Sequence, residues 1–235
     1  TPHNQVIAID PLTGAEFWRF DPDVAKVDYP NQANCRAVAQ WHSTQVPNQA
    51  IGQNSPCKSR IFVATNDARL IAIDGTTGQR CKDFGESGEV LLKEGVGELW
   101  WPQEYQVTSP PSVIGDVVVV GSAIADNQRV DAPSGVVRGF DTQSGELVWA
   151  FDLAPPSFDY SKGLVSDEGY ALATPNVWAG FAVDLERDLI FLPTGNPAPD
   201  YYRDGAEDMG HYGSSVVALR GSTGEYVWHF QTVKK

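Results

Sequence analysis

Three oxygen-bearing side chains stand just past apolar, strand-like runs. Asp126 and Asn127 follow residues 117–121, and Asn196 follows residues 189–192. Carboxylate and amide oxygens at strand ends are the donors a hard divalent cation takes, and ligand type alone leaves calcium and magnesium both open. Asp-Asn and Gly-Asn are also ordinary turn formers. Trp178, in the stretch Pro175-Asn176-Val177-Trp178-Ala179, offers a broad aromatic face for a flat ligand or for a core. Arg36, next to Cys35, carries a planar fork suited to carboxylates, and Thr108-Ser109 places two hydroxyls ahead of Pro110-Pro111. Asp200 and Asp204 sit in a tyrosine-rich loop and read as rim residues. His3, His42, His211 and His229 are scattered, and Cys35, Cys57 and Cys81 form no CxxC pair, which disfavours zinc. Buried thiols and a single disulfide both remain open for the cysteines.

The elements that must position these groups come from a repeat. VIAIDPLTGAEFWRF (6–20), LIAIDGTTGQRCKDF (70–84), VRGFDTQSGELVWAF (137–151) and VVALRGSTGEYVWHF (216–230) align without gaps. Gly14, Gly78, Gly145 and Gly224 share one place; Trp18, Trp149 and Trp228 share another, where the second copy has Lys82. Period-two alternation, then a polar turn ending in Gly, predicts a β-hairpin in each copy. Asp10 can accept backbone N–H groups two and three residues on, whereas Arg220 breaks that pattern and leaves its turn to Ser222 and Gly224. Further strands are expected over residues 60–65, 116–121 and 189–192. The copies lie farther apart than the ~40–45 residues of a four-stranded blade, so each unit carries an insertion of the kind that builds sites. The fold class is all-β, and the repeat favours a β-propeller over a sandwich.

The 235 residues carry a formal charge of −13 with 42 % hydrophobic content, a globular composition whose acidity argues against nucleic acid and anionic lipid as partners. No apolar run approaches the ~20 residues of a membrane helix. The chain opens on Thr1-Pro2-His3-Asn4 and enters a strand at once, with no leader, so trimmed ends or an internal piece are expected.

The pattern A-x-D-x-x-T-G-x-x-x-W resembles the tryptophan-docking repeat of PQQ-dependent (quinoprotein) dehydrogenases. More specific are Asn34-Cys35-Arg36, Thr108-Ser109-Pro110-Pro111, Ala125-Asp126-Asn127, the run from Pro133 to Asp141, Pro175 to Ala179, Leu192 to Asn196, and Phe230-Gln231-Thr232-Val233. Their order resembles the membrane-bound glucose/quinate branch. The resemblance implies an eight-bladed propeller of which this chain holds about three and a half blades, roughly half, over residues 1–235. It implies a periplasmic oxidoreductase acting on the CH–OH group of a sugar, polyol, cyclic hydroxy acid or alcohol. Electrons would pass to a membrane quinone, and segments absent from this chain would tether the enzyme to the inner membrane.

Residue by residue, the resemblance makes Trp178 the ring that stacks on pyrroloquinoline quinone (PQQ), with Arg36, Thr108 and Ser109 binding that cofactor. Asp126, Asn127 and Asn196 become ligands of Ca2+ or Mg2+. Gln32 stands where glucose-oxidising members carry a histidine, which puts glucose in doubt as substrate. The catalytic Asp is expected just after Lys235, so the chain by itself should lack turnover without the missing half of the propeller. The alternative is a non-catalytic propeller of the same repeat type that scaffolds protein assembly; it has no need of the residues gathered above.

Overall fold

A computed structural model describes residues 1–43, 56–201 and 208–233. Among these, three four-stranded antiparallel sheets follow a two-stranded one. The two-stranded sheet pairs Val6–Ile9 with Glu16–Phe20. The second sheet runs through Ala39–His42, Ser59–Ala64, Arg69–Asp74 and Glu89–Leu91. The third runs through Ser112–Ile114, Val117–Val120, Val137–Asp141 and Leu147–Phe151. Ala182–Asp184, Leu189–Pro193, Ser215–Arg220 and Tyr226–Gln231 form the fourth. Each four-stranded sheet is a meander, which is a propeller blade, and the described residues amount to the expected three and a half blades. A ribbon pairs Tyr105–Gln106, from the connector between the second and third blades, with Ala123–Ile124, from the connector between the second and third strands of the third blade.

The repeat turns close by the expected chemistry. Asp10 Oδ1 accepts from the N–H groups of Leu12 (2.8 Å) and Thr13 (3.2 Å), and Asp74 and Asp141 do the same for their own turns. Where Arg220 replaces the Asp, Asp188 of the neighbouring hairpin turn supplies the carboxylate, accepting from Ser222 N (3.0 Å) and Oγ (2.5 Å).

The tryptophans then lock blade to blade. Trp149 donates its Nε1–H to Gly221 O at 2.9 Å, and a Cβ on Gly224 would come within 2.6 Å of its ring. Trp18 does likewise with Gly75 O at 3.2 Å and with Gly78 beneath the indole. Gly224 and Gly78 therefore have two duties, a positive φ that ends the turn and an open seat for an aromatic face.

The second copy departs from the hairpin expectation. Its second arm makes a single bridge, Ile73 to Arg80, after which Cys81 is disulfide-bonded to Cys57 and Phe84 turns fully into the core. Glu89–Leu91 takes the fourth place in the sheet instead. With Lys82 in the tryptophan's position, the next contact is made by backbone and polar side chains. Gly85 N donates to Ser144 O at 2.7 Å, Arg60 to Gln143 O at 2.8 Å and Trp41 Nε1 to Asp116 at 3.0 Å. The disulfide settles the cysteine question, with Cys35 remaining a free thiol.

Apolar side chains fill the spaces between blades. Phe62, Leu70, Phe84, Val118 and Val136 pack in one cluster, and Trp149, Val177, Ile190, Leu192 and Leu219 in another. In the full-length protein Trp149→Ala is expected to cost about 3–5 kcal/mol, the usual penalty for truncating a buried aromatic. Exposed Lys82→Ala should stay within ~0.5 kcal/mol. Chemical denaturation measures both, and a Trp149→Ala cost as small as that of Lys82→Ala would refute the docking role.

Candidate functional site

One cavity of about 310 Å³ is lined by residues from connectors on every blade, among them Gln32, Arg36, Thr108, Asp126, Asn176, Trp178 and Asp200. The short ribbon brings two of these together, because Thr108 follows its first strand and Asp126 its second. Trp178 and Asn176 lie on the long connector between the third and fourth blades. That connector crosses two glycines at very close range. A Cβ on Gly135 would sit 1.9 Å from Pro175 O, and one on Gly121 would sit 2.3 Å from Val177 O. Gly135 N also donates to Thr174 Oγ1 at 2.8 Å. Only glycine permits so close a backbone approach, so these two positions set where the Asn-Val-Trp segment runs.

The loop carrying Gln32 and Arg36 is held by an amide clamp. Buried Gln106 accepts from Asn31 N (3.0 Å) and donates to Gln32 O (3.1 Å), which steadies Gln32 at a φ of +63°. Arg36 Nη1 donates to Thr108 O (2.7 Å) and Trp178 O (3.1 Å), and its guanidinium lies 5.6 Å from the centre of the Trp178 ring. One arginine thus pins three connectors together. Among the described residues its Nε and Nη2 make no hydrogen bond, which leaves donors for an anionic ligand. Trp178 is 49 % exposed, against 6 % for Trp149, so its ring is presented to solvent rather than docked.

The oxygen donors are arranged less simply than the sequence suggests. Asp126 Oδ2 accepts from Asn176 Nδ2 at 3.2 Å. Asn127 and Asn196 are exposed, are not among the residues lining the cavity, and both hold Asp200. Asp200 N donates to Asn127 Oδ1 at 3.1 Å, and Asn196 Nδ2 donates to Asp200 Oδ1 at 2.7 Å. Asp200, read from the sequence as a loop or rim residue, lines the cavity; Asp204 lies outside the described residues, as do Lys234 and Lys235. Ser109 is buried behind Thr108, does not line the cavity, and its Oγ has no partner among the described residues.

Two polar cavity residues escaped the sequence reading, Asn31 and Asn176. Asn31 Nδ2 and Asn176 Oδ1 are both buried without a hydrogen-bond partner among the described residues. Such orphans cost about 1–3 kcal/mol each unless a ligand, ion or water meets them. Asn176 could have been found from its place two residues before Trp178; no signal marked Asn31. Among the described residues no group of three or more His, Cys, Asp and Glu could hold a metal ion, so any cation here must rely partly on amide oxygens.

Comparison with known proteins gives a consistent picture. The family model of the PQQ glucose/ethanol/alcohol dehydrogenase β-propeller domain matches residues 1–235. The chain is 42 % identical to the glycerol dehydrogenase large subunit of Gluconobacter thailandicus, over 99 % of this chain and 30 % of that protein. It is 39 % identical to the quinate/shikimate dehydrogenase (quinone) of Acinetobacter baylyi, again over 99 % and 30 %. Among solved structures, the quinohemoprotein alcohol dehydrogenase of Comamonas testosteroni superposes with a TM-score of 0.70 at 25 % identity, over 97 % of this chain and 32 % of that one. The chain thus spans about 30 % of the length of the curated relatives it matches.

Burial pushes the Asp126 carboxyl above its ordinary value, the Asn176 hydrogen bond pulls against that, and the Asp200 charge adds to the push. A raised folded-state pKa contributes stability below the unfolded value of about 3.9, and that contribution is lost as pH rises through the folded value. Asp126→Asn is therefore expected to stabilise the ligand-free full-length protein at pH 7 and to bring no gain at pH 3. Urea midpoints at the two pH values check it; a lower midpoint for the variant at pH 7 would count against the burial cost.

Proposed function

The chain belongs to the β-propeller family of PQQ-dependent glucose/ethanol/alcohol dehydrogenases, and from that premise we propose that the full-length protein oxidises the CH–OH group of a small hydroxyl substrate in one PQQ- and cation-dependent site. The observation that carries this reading is the single cavity uniting Gln32, Arg36, Thr108, Asp126 and Trp178 from separate connectors. A scaffold propeller of the same repeat has no use for that convergence.

The residues fit a flat, tricarboxylated quinone beside a hard cation. When bound, PQQ supplies an ortho-quinone able to accept a hydride, and the cation, Ca2+ or Mg2+, polarises its carbonyl. Trp178 offers the half-exposed ring face for stacking. The uncommitted donors of Arg36 bind carboxylate oxygens; the Thr108 hydroxyl, which donates to Trp178 O at 3.3 Å without the ligand, and the partnerless Ser109 hydroxyl next to it in the chain are assigned to the same group. Asp126 presents its carboxylate to the cation, and the Asn127 and Asn196 amide oxygens, which accept from Asp200 N and Ser214 Oγ, each keep a second lone pair for it. The orphaned Asn176 Oδ1 is a further place for a hard cation.

Proton abstraction from the substrate hydroxyl falls to an Asp placed directly beyond Lys235, the position the family resemblance gives it. Electrons then pass to a membrane quinone on the periplasmic side. Tethering to the inner membrane is assigned to segments outside this chain; among the described residues no helix is long and apolar enough to cross a bilayer.

Gln32 on the cavity wall directs the substrate reading. A neutral amide can donate to and accept from hydroxyls but does not charge near neutral pH as an imidazole does. On that ground a polyol or cyclic hydroxy acid is favoured over glucose, while the relatives include glycerol, quinate/shikimate and glucose dehydrogenases alike. With full-length enzyme, glucose is expected to give a lower kcat/KM than the best polyol or hydroxy acid of a panel; glucose as best substrate would overturn this.

Trp178→Ala should weaken PQQ binding at least tenfold while costing less stability than Trp149→Ala. Equilibrium titration with PQQ and denaturation curves separate the two effects. Unchanged PQQ affinity would remove Trp178 from the stacking role.

A further inference from the structure

Asp126, Asn127 and Asn196 do not account for all the oxygen on the cavity wall. Asp200 lines the same space as Asp126 and Asn176 and is gripped on three sides. Its Oδ1 accepts from Asn196 Nδ2 at 2.7 Å, and its backbone N–H is shared between Asn127 Oδ1 (3.1 Å) and Asp126 O (3.3 Å). Among the described residues nothing donates to Oδ2, and neither Asp126 nor Asp200 is ion-paired with a Lys or Arg. Two neighbouring carboxylates without a cationic side chain repel each other, and a divalent ion is the simplest compensation.

A second observation points the same way. Asn176 is 1 % exposed and lines the cavity. Its Nδ2 faces Asp126, an acceptor, so the other branch of the planar amide must be the oxygen, and that oxygen is buried without a donor among the described residues. An acceptor with no donor, next to two acceptor-only carboxylates, suits an ion and not another hydrogen bond.

We propose that Asp200 is a direct ligand of the divalent cation, closing with Asp126 and the Asn176 amide oxygen a hard, all-oxygen seat that Asn127 and Asn196 keep in register. The proposal rests on the cation-dependent reading of the site given above. Two carboxylates plus amide oxygens make a set that calcium accepts readily, whereas magnesium asks for stricter octahedral geometry. The role differs from that of a rim acid, which would shape the loop and leave cation affinity alone.

The test uses the full-length apoprotein, stripped of cation with a chelator and titrated calorimetrically with calcium and then magnesium in the presence of PQQ. PQQ uptake is followed separately by absorbance at saturating calcium. Asp200→Asn keeps the side-chain shape and an acceptor for Asn196, and it is expected to raise the calcium Kd tenfold or more. Asp167→Asn, an exposed acid away from this cavity, should leave it unchanged, which controls for surface charge. Asp200→Glu retains the charge but displaces it by one methylene, and should alter the preference between calcium and magnesium. An unchanged calcium Kd in Asp200→Asn overturns the proposal. Should that variant fail to fold by circular dichroism, unchanged affinity and preference in Asp200→Glu overturn it equally. If the unsubstituted protein takes up PQQ and calcium while Asp200→Asn matches it, only the role of Asp200 falls. If the unsubstituted protein takes up neither, the functional reading falls, and Asp200 with it.

Discussion

The indole of Trp149 seated on the Gly221–Gly224 turn is the contact from which the rest of the arrangement follows. A blade has two apolar faces and is not stable alone, so each must find a neighbour at a fixed angle. The Nε1–H to Gly221 O bond sets the height of the ring, and the absent Cβ of Gly224 sets its depth. Trp18 repeats the solution on Gly75 and Gly78. Once blades are fixed in angle, the connectors leaving their strand ends have little choice of where to meet.

The second blade shows that the lock can be built differently. Lys82 cannot dock, and the chain there closes onto its own sheet through the Cys57–Cys81 disulfide and buried Phe84. Contact with the third blade passes to main-chain and polar hydrogen bonds around Gly85, Ser144 and Arg60. Packing quality is retained, since Phe62, Phe84 and Val118 belong to one buried cluster.

The site inherits its tension from the same geometry. Arg36 ties the Thr108 and Trp178 carbonyls together and so brings a cation close to an aromatic face at the cavity mouth. At the other end, Asp126, Asp200 and Asn176 concentrate acceptors with too few donors. Folding alone would not favour that imbalance, which the proposed cation would relieve.

The sequence by itself determined the local structure. Four gapless copies share their Gly, and three of the four share Asp and three Trp; three of them form the hairpins the pattern specifies, because turn chemistry and period-two burial act over a few residues. The same patterning made the fold class legible, and Trp178, Arg36 and Asp126 stood out by type and by their place outside the repeat. Tertiary structure alone decided which oxygens face the cavity. Asp200 and Asn127 are distant in sequence and meet only because connectors of different blades converge, and Asn31 is set in place by Gln106 from the ribbon strand. The pairing of Cys57 with Cys81, the failure of the second hairpin arm and the service of Asp188 to the Arg220 turn were hidden for the same reason. Each depends on a contact between segments whose separation along the chain leaves no periodic trace.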